Sequence, residues 1–274
     1  MVVQQHRRRG GAVAVAATVV GVMAATGCSG AGAAEDSRGQ GAIDEVRSAA
    51  DALAAAKSAG ARTSMEMATG GTRVTIRGEG GYDFVRRMGR LTVVLPQDPA
   101  GERGHEPITE LLTPGALYMK NRGAGVPADK WVRVDTTTLA DGNLVTGGAT
   151  DPLAAAELLR AAEQVTYVGE TELSGQKLRH FRGTTDIGRA AKTAEPHVRA
   201  SLAAAARGFT RDVVPFDAYL DDSGLLRKVR HRFSFVNDGR AVAVTSTTVL
   251  FDFGTPVRVR LPDREDIYSG KIKA

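Results

Sequence analysis

The sequence predicts an α+β protein built on one antiparallel sheet, and three observations carry that reading. Residues 216–261 contain two extended runs joined at Asp221-Asp222-Ser223-Gly224, and a third run follows a second turn at Asn237-Asp238-Gly239. Alternating polarity, β-branched enrichment and Gly-bearing turns mark a meander. From Arg62 onward several more short segments alternate with period two and are separated by Gly- or Pro-bearing turns. Between the strand-like blocks lie Ala-rich stretches whose apolar residues recur at helical spacing.

Taken in order, residues 28–41 are Gly, Ala, Ser and charge without apolar periodicity, so they read as a flexible tether. Residues 42–59 read as a helix: Ile43, Val46, Ala50, Leu53 and Ala54 repeat on one side, Asp44 and Glu45 occupy the first turn, and Gly60 ends it. Its narrow Ala-rich stripe suits packing on a sheet. Residues 63–69, 72–78, 90–95, 116–120 and 130–136 are strand candidates, with Met65, Met67, Val74, Ile76, Leu91 and Val93 each on one face of its segment. Gly78, Gly80 and Gly81 read as turn glycines, because no helix follows them as a dinucleotide loop requires.

Asp151-Pro152 opens a second helix over LAAAELLRAAEQV, Asp serving as N-cap and Pro as first helical residue. A hairpin follows, TYVGETEL and KLRHFRGTTDI joined at Ser174-Gly175, then a helical insertion over 188–208 interrupted near Pro196. In the closing meander Val229, His231, Phe233 and Phe235 fall on one face, and Lys228, Arg230, Arg232 and Ser234 on the other. No composition break divides 42–274, which reads as a single domain.

The N-terminus carries a secretory signal in residues 1–27: Arg7, Arg8 and Arg9 precede an apolar run over 12–25, and small residues lead into Cys28. That run is short and rich in weakly apolar Ala, so a permanent span is disfavoured. Ala25-Thr26-Gly27-Cys28 resembles the lipobox of bacterial lipoproteins, in which the Cys is acylated and becomes the mature N-terminus. Cys28 is the only cysteine, so no disulfide or thiolate cluster competes for it. The alternative is a cut further along, after Ala33 or Ala34. Export through the general secretory route is the simpler expectation, with twin-Arg export left open by the consecutive arginines. The implied location is the outer face of the cytoplasmic membrane. Without its first 27 residues the chain has 33 basic and 31 acidic residues, too balanced for a nucleic-acid binder.

Together with the lipobox, YMKNRGAGVPADKWVRV, DPLAAAELL, the VTYVGETELSGQKLRHFRGTTDI hairpin, VVPFDAYLDDSGLLRKVRHRFSF and FDFGTPVRVRLPDREDI make the chain similar to actinobacterial lipoproteins of the LppX/LprG type. The resemblance spans residues 28–268 and implies a LolA/LolB-like fold: a strongly curved antiparallel half-barrel with helices over its concave face. It also implies that a lipid or glycolipid is held in an apolar cavity between sheet and helices, for transfer across the envelope. The alternative is a sensory or regulatory lipoprotein whose half-barrel binds a membrane-protein partner. The cavity residues expected are Met65, Met67, Val74, Ile76, Leu91, Val93, Val229, Phe233 and Phe235. Arg227, Lys228, Arg230 and Arg232 form the most basic run, read as a solvated strand face or a contact for anionic headgroups. No Gly-x-Ser-x-Gly, His-Glu-x-x-His or phosphate loop is present, and the histidines have no metal spacing. The expectation is a non-enzymatic protein without cofactor.

Overall fold

The computed structural model of the chain describes residues 30–96, 106–121, 125–147, 149–237 and 239–270. Cys28, the signal segment and His105 lie outside them. Among the described residues eleven strands form one antiparallel sheet: β1 (Ser58–Thr69), β2 (Thr72–Asp83), β3 (Met88–Val94), β4 (Ile108–Thr113), β5 (Ala116–Lys120), β6 (Trp131–Asp135), β7 (Ala162–Leu173), β8 (Gln176–Asp186), β9 (Val213–Leu220), β10 (Leu226–Asn237) and β11 (Arg240–Phe251). Their spatial order is β6-β5-β4-β3-β2-β1-β11-β10-β9-β8-β7. The chain therefore lays down one meander outward from β1 and a second inward to β11. Pairing of β1 with β11, from Gly60 opposite Phe251 to Ala68 opposite Ala243, joins the two halves. The sheet is an open, curved half-barrel whose ends are β6 and β7.

Four helices among the described residues complete the α+β fold: α1 (Gly30–Ala55), α2 (Pro152–Glu157), α3 (Ile187–Thr193) and α4 (Pro196–Gly208). As the capping signal predicts, the Asp151 carboxylate accepts the N–H groups of Leu153 at 2.7 Å and Ala154 at 3.3 Å. The interruption near Pro196 is the break between α3 and α4, with Pro196 at the start of the second helix.

Several boundaries differ from the sequence reading. Helix α1 begins at Gly30, so residues 30–41 of the stretch read as a tether belong to the helix. It ends at Ala55 rather than 59, because Lys57 turns the backbone with φ of 60° and β1 takes Ala59 and Ala61 as buried residues. Helix α2 is one and a half turns long and gives way to a 3-10 turn, Leu158–Ala161; Ala162, which periodicity places in the helix, starts β7. Strand β4 escapes the pattern because Glu110 faces the buried side together with Ile108 and Leu112.

The reading of Gly78, Gly80 and Gly81 as turn residues is incorrect. All three lie inside β2, which runs unbroken to Asp83. A Cβ on Gly80 would come within 2.0 Å of the Arg90 carbonyl oxygen on β3, and one on Gly78 within 2.6 Å of Thr63 Oγ1. Gly80 admits a close backbone approach from β3, and Gly78 and Gly81 leave room for the Thr63 and Val257 side chains.

After β11 the chain folds back across the strand ends. Gly254 donates to the Ser58 carbonyl at 2.9 Å, and Tyr268 donates to the Trp131 carbonyl at 2.8 Å, covering part of the β6 edge.

Candidate functional site

Three cross-strand rows build the inner face at the middle of the sheet. The first holds Val93, Gly78, Thr63, Thr248, Val229 and Ala218. Two residues along, the second holds Ile76, Met65, Ser246, His231 and Phe216. The third holds Val74, Met67, Val244 and Phe233. Alternation with period two puts these side chains on one face, and the helices lie over it.

The first two rows are sealed. Met65, Ile76, Leu91, Val93 and Val229 are buried in one cluster with Val46, Ala50 and Leu53 of α1 and Leu153 and Ala156 of α2. The third row is not sealed: Met67, Val74 and Phe233 are half-buried, as is Phe235 one step further along β10. Phe233 and Phe235 also border a second cluster beneath α3 and α4, which includes Ile187, Val198, Leu202 and Phe209. The nine apolar residues singled out from the sequence thus divide into a buried floor of five and a rim of four. The floor and rim are continuous.

A band of polar groups crosses the apolar floor. Thr63, Thr248, Ser246 and His231 are all buried, and Ser246 shares a 2.7 Å hydrogen bond with Thr150 from the segment ahead of α2. Thr63 Oγ1, Thr248 Oγ1 and His231 Nε2 have no hydrogen-bond partner among the described residues. Burial pushes the His231 imidazole down to about 4, so it is neutral at physiological pH. The apolar floor is thus interrupted by buried hydroxyls and a neutral imidazole.

Beside the floor, Tyr82 on β2 donates to Asp151 at 2.9 Å and so ties the sheet to the cap of α2. Burial raises the Asp151 carboxyl above the usual range despite its hydrogen bonds, and burial with Asp151 beside it raises the Tyr82 phenol well above its own. Next to this pair is a cleft of about 30 Å³ at the start of α4, lined by Arg87, Asn143, His197 and Ser201 among others. None of the nine apolar residues lines it. Burial lowers the His197 imidazole, and neither of its ring nitrogens has a hydrogen-bond partner among the described residues. Among the described residues no three His, Cys, Asp or Glu side chains gather as a metal site, and no helix is long and apolar enough to cross a membrane.

The basic run is split by the structure. Lys228, Arg230 and Arg232 project from the outer face of β10, opposite the floor. Arg227, next to the register shift between Leu226 and Lys228, pairs instead with Asp221 at 2.7 Å and lies over the Phe253 ring at 4.6 Å. Asp221 organises the β9–β10 turn by accepting from the Ser223 and Leu225 N–H groups at 3.0 and 3.1 Å. On the outer face Asp217 accepts from His180 at 2.9 Å, Arg182 at 3.1 Å and Arg232 at 2.6 Å. Burial would raise the Asp217 carboxyl, but the three donors outweigh it and hold it at about 2.

The hydroxyl band was open to sequence reading, since Ser246 and Thr248 alternate with outward residues between Val244 and Leu250. The Tyr82–Asp151 and Asp217 clusters join residues far apart in the chain and leave no local signal.

No protein-family model matches the chain, and no curated protein matches it in sequence. Solved structures similar to it include the lipoprotein LppX of Mycobacterium tuberculosis, with a TM-score of 0.48, 11% identity and coverage of 81% of this chain and 99% of that one. LprF from Mycobacterium bovis has a TM-score of 0.41 and 12% identity, covering 81% and 97% of the two chains. A LolA-superfamily protein from Nitrosomonas europaea has a TM-score of 0.33 and 11% identity, covering 84% and 97%.

Proposed function

We propose that the chain is an extracytoplasmic lipoprotein, held at the membrane by acylated Cys28, that binds a lipid or glycolipid against the inner face of its half-barrel and hands it onward across the envelope. The observation that carries this reading is the continuity of the buried floor with the half-buried rim of Met67, Val74, Phe233 and Phe235. An apolar strip left partly open beside a sealed core is where an acyl chain would enter. Ala50 and Ala156 lie over the floor with side chains too small to interlock deeply, so a modest shift of the helices would admit a chain. Each buried CH₂ would contribute about 0.8 kcal/mol. The hydroxyls of Thr63 and Thr248 and the His231 nitrogen, without hydrogen-bond partners among the described residues, suit a ligand that also carries an ester or hydroxyl group.

The test is mass spectrometry of solvent extracts from the mature chain, residues 28–274 with Cys28→Ser, purified from a native-like host. A diacyl lipid or glycolipid recovered near one per protein is the expected result. A protein free of lipid that captures a membrane protein would replace this reading with the regulatory one. The same substitution should release the protein from the membrane into the medium, and unchanged retention would refute lipidation at Cys28.

A further inference from the structure

The outer face of the sheet carries a charge surplus that the rest of the chain does not. Along its middle, one cross-strand row contains Arg182, Asp217, Arg230 and Arg77, and the next contains Lys228, Arg62 and Glu79. Flanking rows add Arg232, Glu66, Arg73 and Arg90. Between β8 and β3 these five rows hold eight Lys or Arg side chains against three carboxylates, a net of +5. Residues 28–274 have 33 basic and 31 acidic residues, so everything outside this block is net acidic by three. A nearly neutral chain is strongly polarised.

The carboxylates do not absorb this surplus. Asp217 is held by Arg182 and Arg232, and Glu79 pairs with Arg62 at 3.0 Å. Arg77, Arg90, Lys228 and Arg230 make no ion pair among the described residues. Lys228 and Arg230 stand two residues apart on the same side of one strand, where like charges repel. Burial first, and then Arg230, pull the Lys228 ammonium below the usual lysine range.

The same face has a recess of matching chemistry. Where the two middle rows cross β1 and β2 the surface dips into a groove of about 280 Å³ lined by Arg62, Arg77 and Glu79, the hydroxyl residues Ser64 and Thr247, and Val94 and Val249. Val94 is 50% exposed. Arg77, without an ion pair, and Arg62, shared with Glu79, stand beside hydroxyls as donors for phosphate oxygens, and the two valines suit a glycerol backbone.

We propose that this outer face rests on an anionic phospholipid leaflet, with the groove between Arg62 and Arg77 taking a phosphodiester headgroup. The inference rests on the reading of the chain as membrane-anchored and not on the nature of any cargo. A domain lying on its outer face turns the helices and the apolar rim away from the bilayer surface. Cargo would then leave or arrive on the side facing the envelope.

The experiment is cosedimentation of the mature Cys28→Ser chain, which has no acyl anchor, with vesicles of phosphatidylglycerol and phosphatidylcholine or of phosphatidylcholine alone. Binding should favour the anionic vesicles by about tenfold or more and weaken as salt is raised. Arg62→Gln with Arg77→Gln, and separately Lys228→Gln with Arg230→Gln, should each weaken it by about tenfold or more. Lys192→Gln on α3 should bind as the parent does. Equal binding to both vesicles, salt-independent binding, or parental binding by both double variants overturns the proposal. Saturation of the groove by inorganic phosphate without vesicle association also overturns it, leaving a free-anion site. Because the salt series needs no substitution, a variant that fails to fold does not spoil the test. Lipid recovered in solvent extracts is a separate readout, so docking and cargo binding can fail independently.

Discussion

Phe233 of β10 stacks on Phe209 at the end of α4, with ring centroids 4.5 Å apart and planes within 8°. The pair fastens the helical cover to the half-open rim of the inner face, and the two residues also belong to neighbouring apolar clusters. Replacing Phe233 by Ala should cost about 2 kcal/mol, less than for a fully buried ring because Phe233 is half-buried. Phe209→Ala should cost a similar amount, and the double variant about 1 kcal/mol less than the sum. Guanidinium unfolding with unchanged m-values measures this; strict additivity would mean that the stack contributes no coupling.

His231 sets an acid limit on stability. Above about pH 6.5 the imidazole is neutral in both folded and unfolded chains. As pH falls from there toward the folded-state value of about 4, the unfolded chain takes up a proton that the folded chain refuses, and stability drops. The loss from this group has a ceiling of about 3 kcal/mol. Asp217, held at about 2, acts lower still, losing its contribution below about pH 4. Urea midpoints followed from pH 7 to 4 should slope downward in the parent and flatten in His231→Leu. A parallel slope in both would place the acid sensitivity elsewhere.

The same substitution at two glycines should have opposite effects. Gly80→Ala drives a methyl group into the Arg90 carbonyl, a backbone atom that cannot move without breaking the β2–β3 pairing, and should cost about 3 kcal/mol or more. Gly41→Ala in α1 meets open space and should stabilise by about 0.5–1 kcal/mol through helix propensity. Thermal melts of the two variants decide it, and an unchanged midpoint for Gly80→Ala would contradict the close approach.

These contrasts also mark what the sequence makes legible. The meander, the Asp151 cap, the Pro196 break and the inward alternation of Val229, His231 and Phe233 are local patterns with local causes, and they are visible from residue order. Gly80 is not, because its requirement comes from Arg90 on the next strand. Nor is β4, where buried Glu110 replaces the apolar residue that alternation expects. The outer charge surplus escapes for a related reason. Arg62 and Arg77 lie outside the basic run of β10 and join it only when β1 and β2 are placed beside β11.

The central claim is that the inner face takes an apolar ligand through its rim. Photo-crosslinking of the mature Cys28→Ser chain with a diazirine-bearing fatty acid, mapped by peptide mass spectrometry, tests it most directly. The account predicts adducts on Met67, Val74, Phe233 and Phe235, reaching Met65 as occupancy rises and competed away by unlabelled long-chain lipid. Adducts confined to outer-face residues such as Val94, or labelling that lipid does not displace, would contradict it.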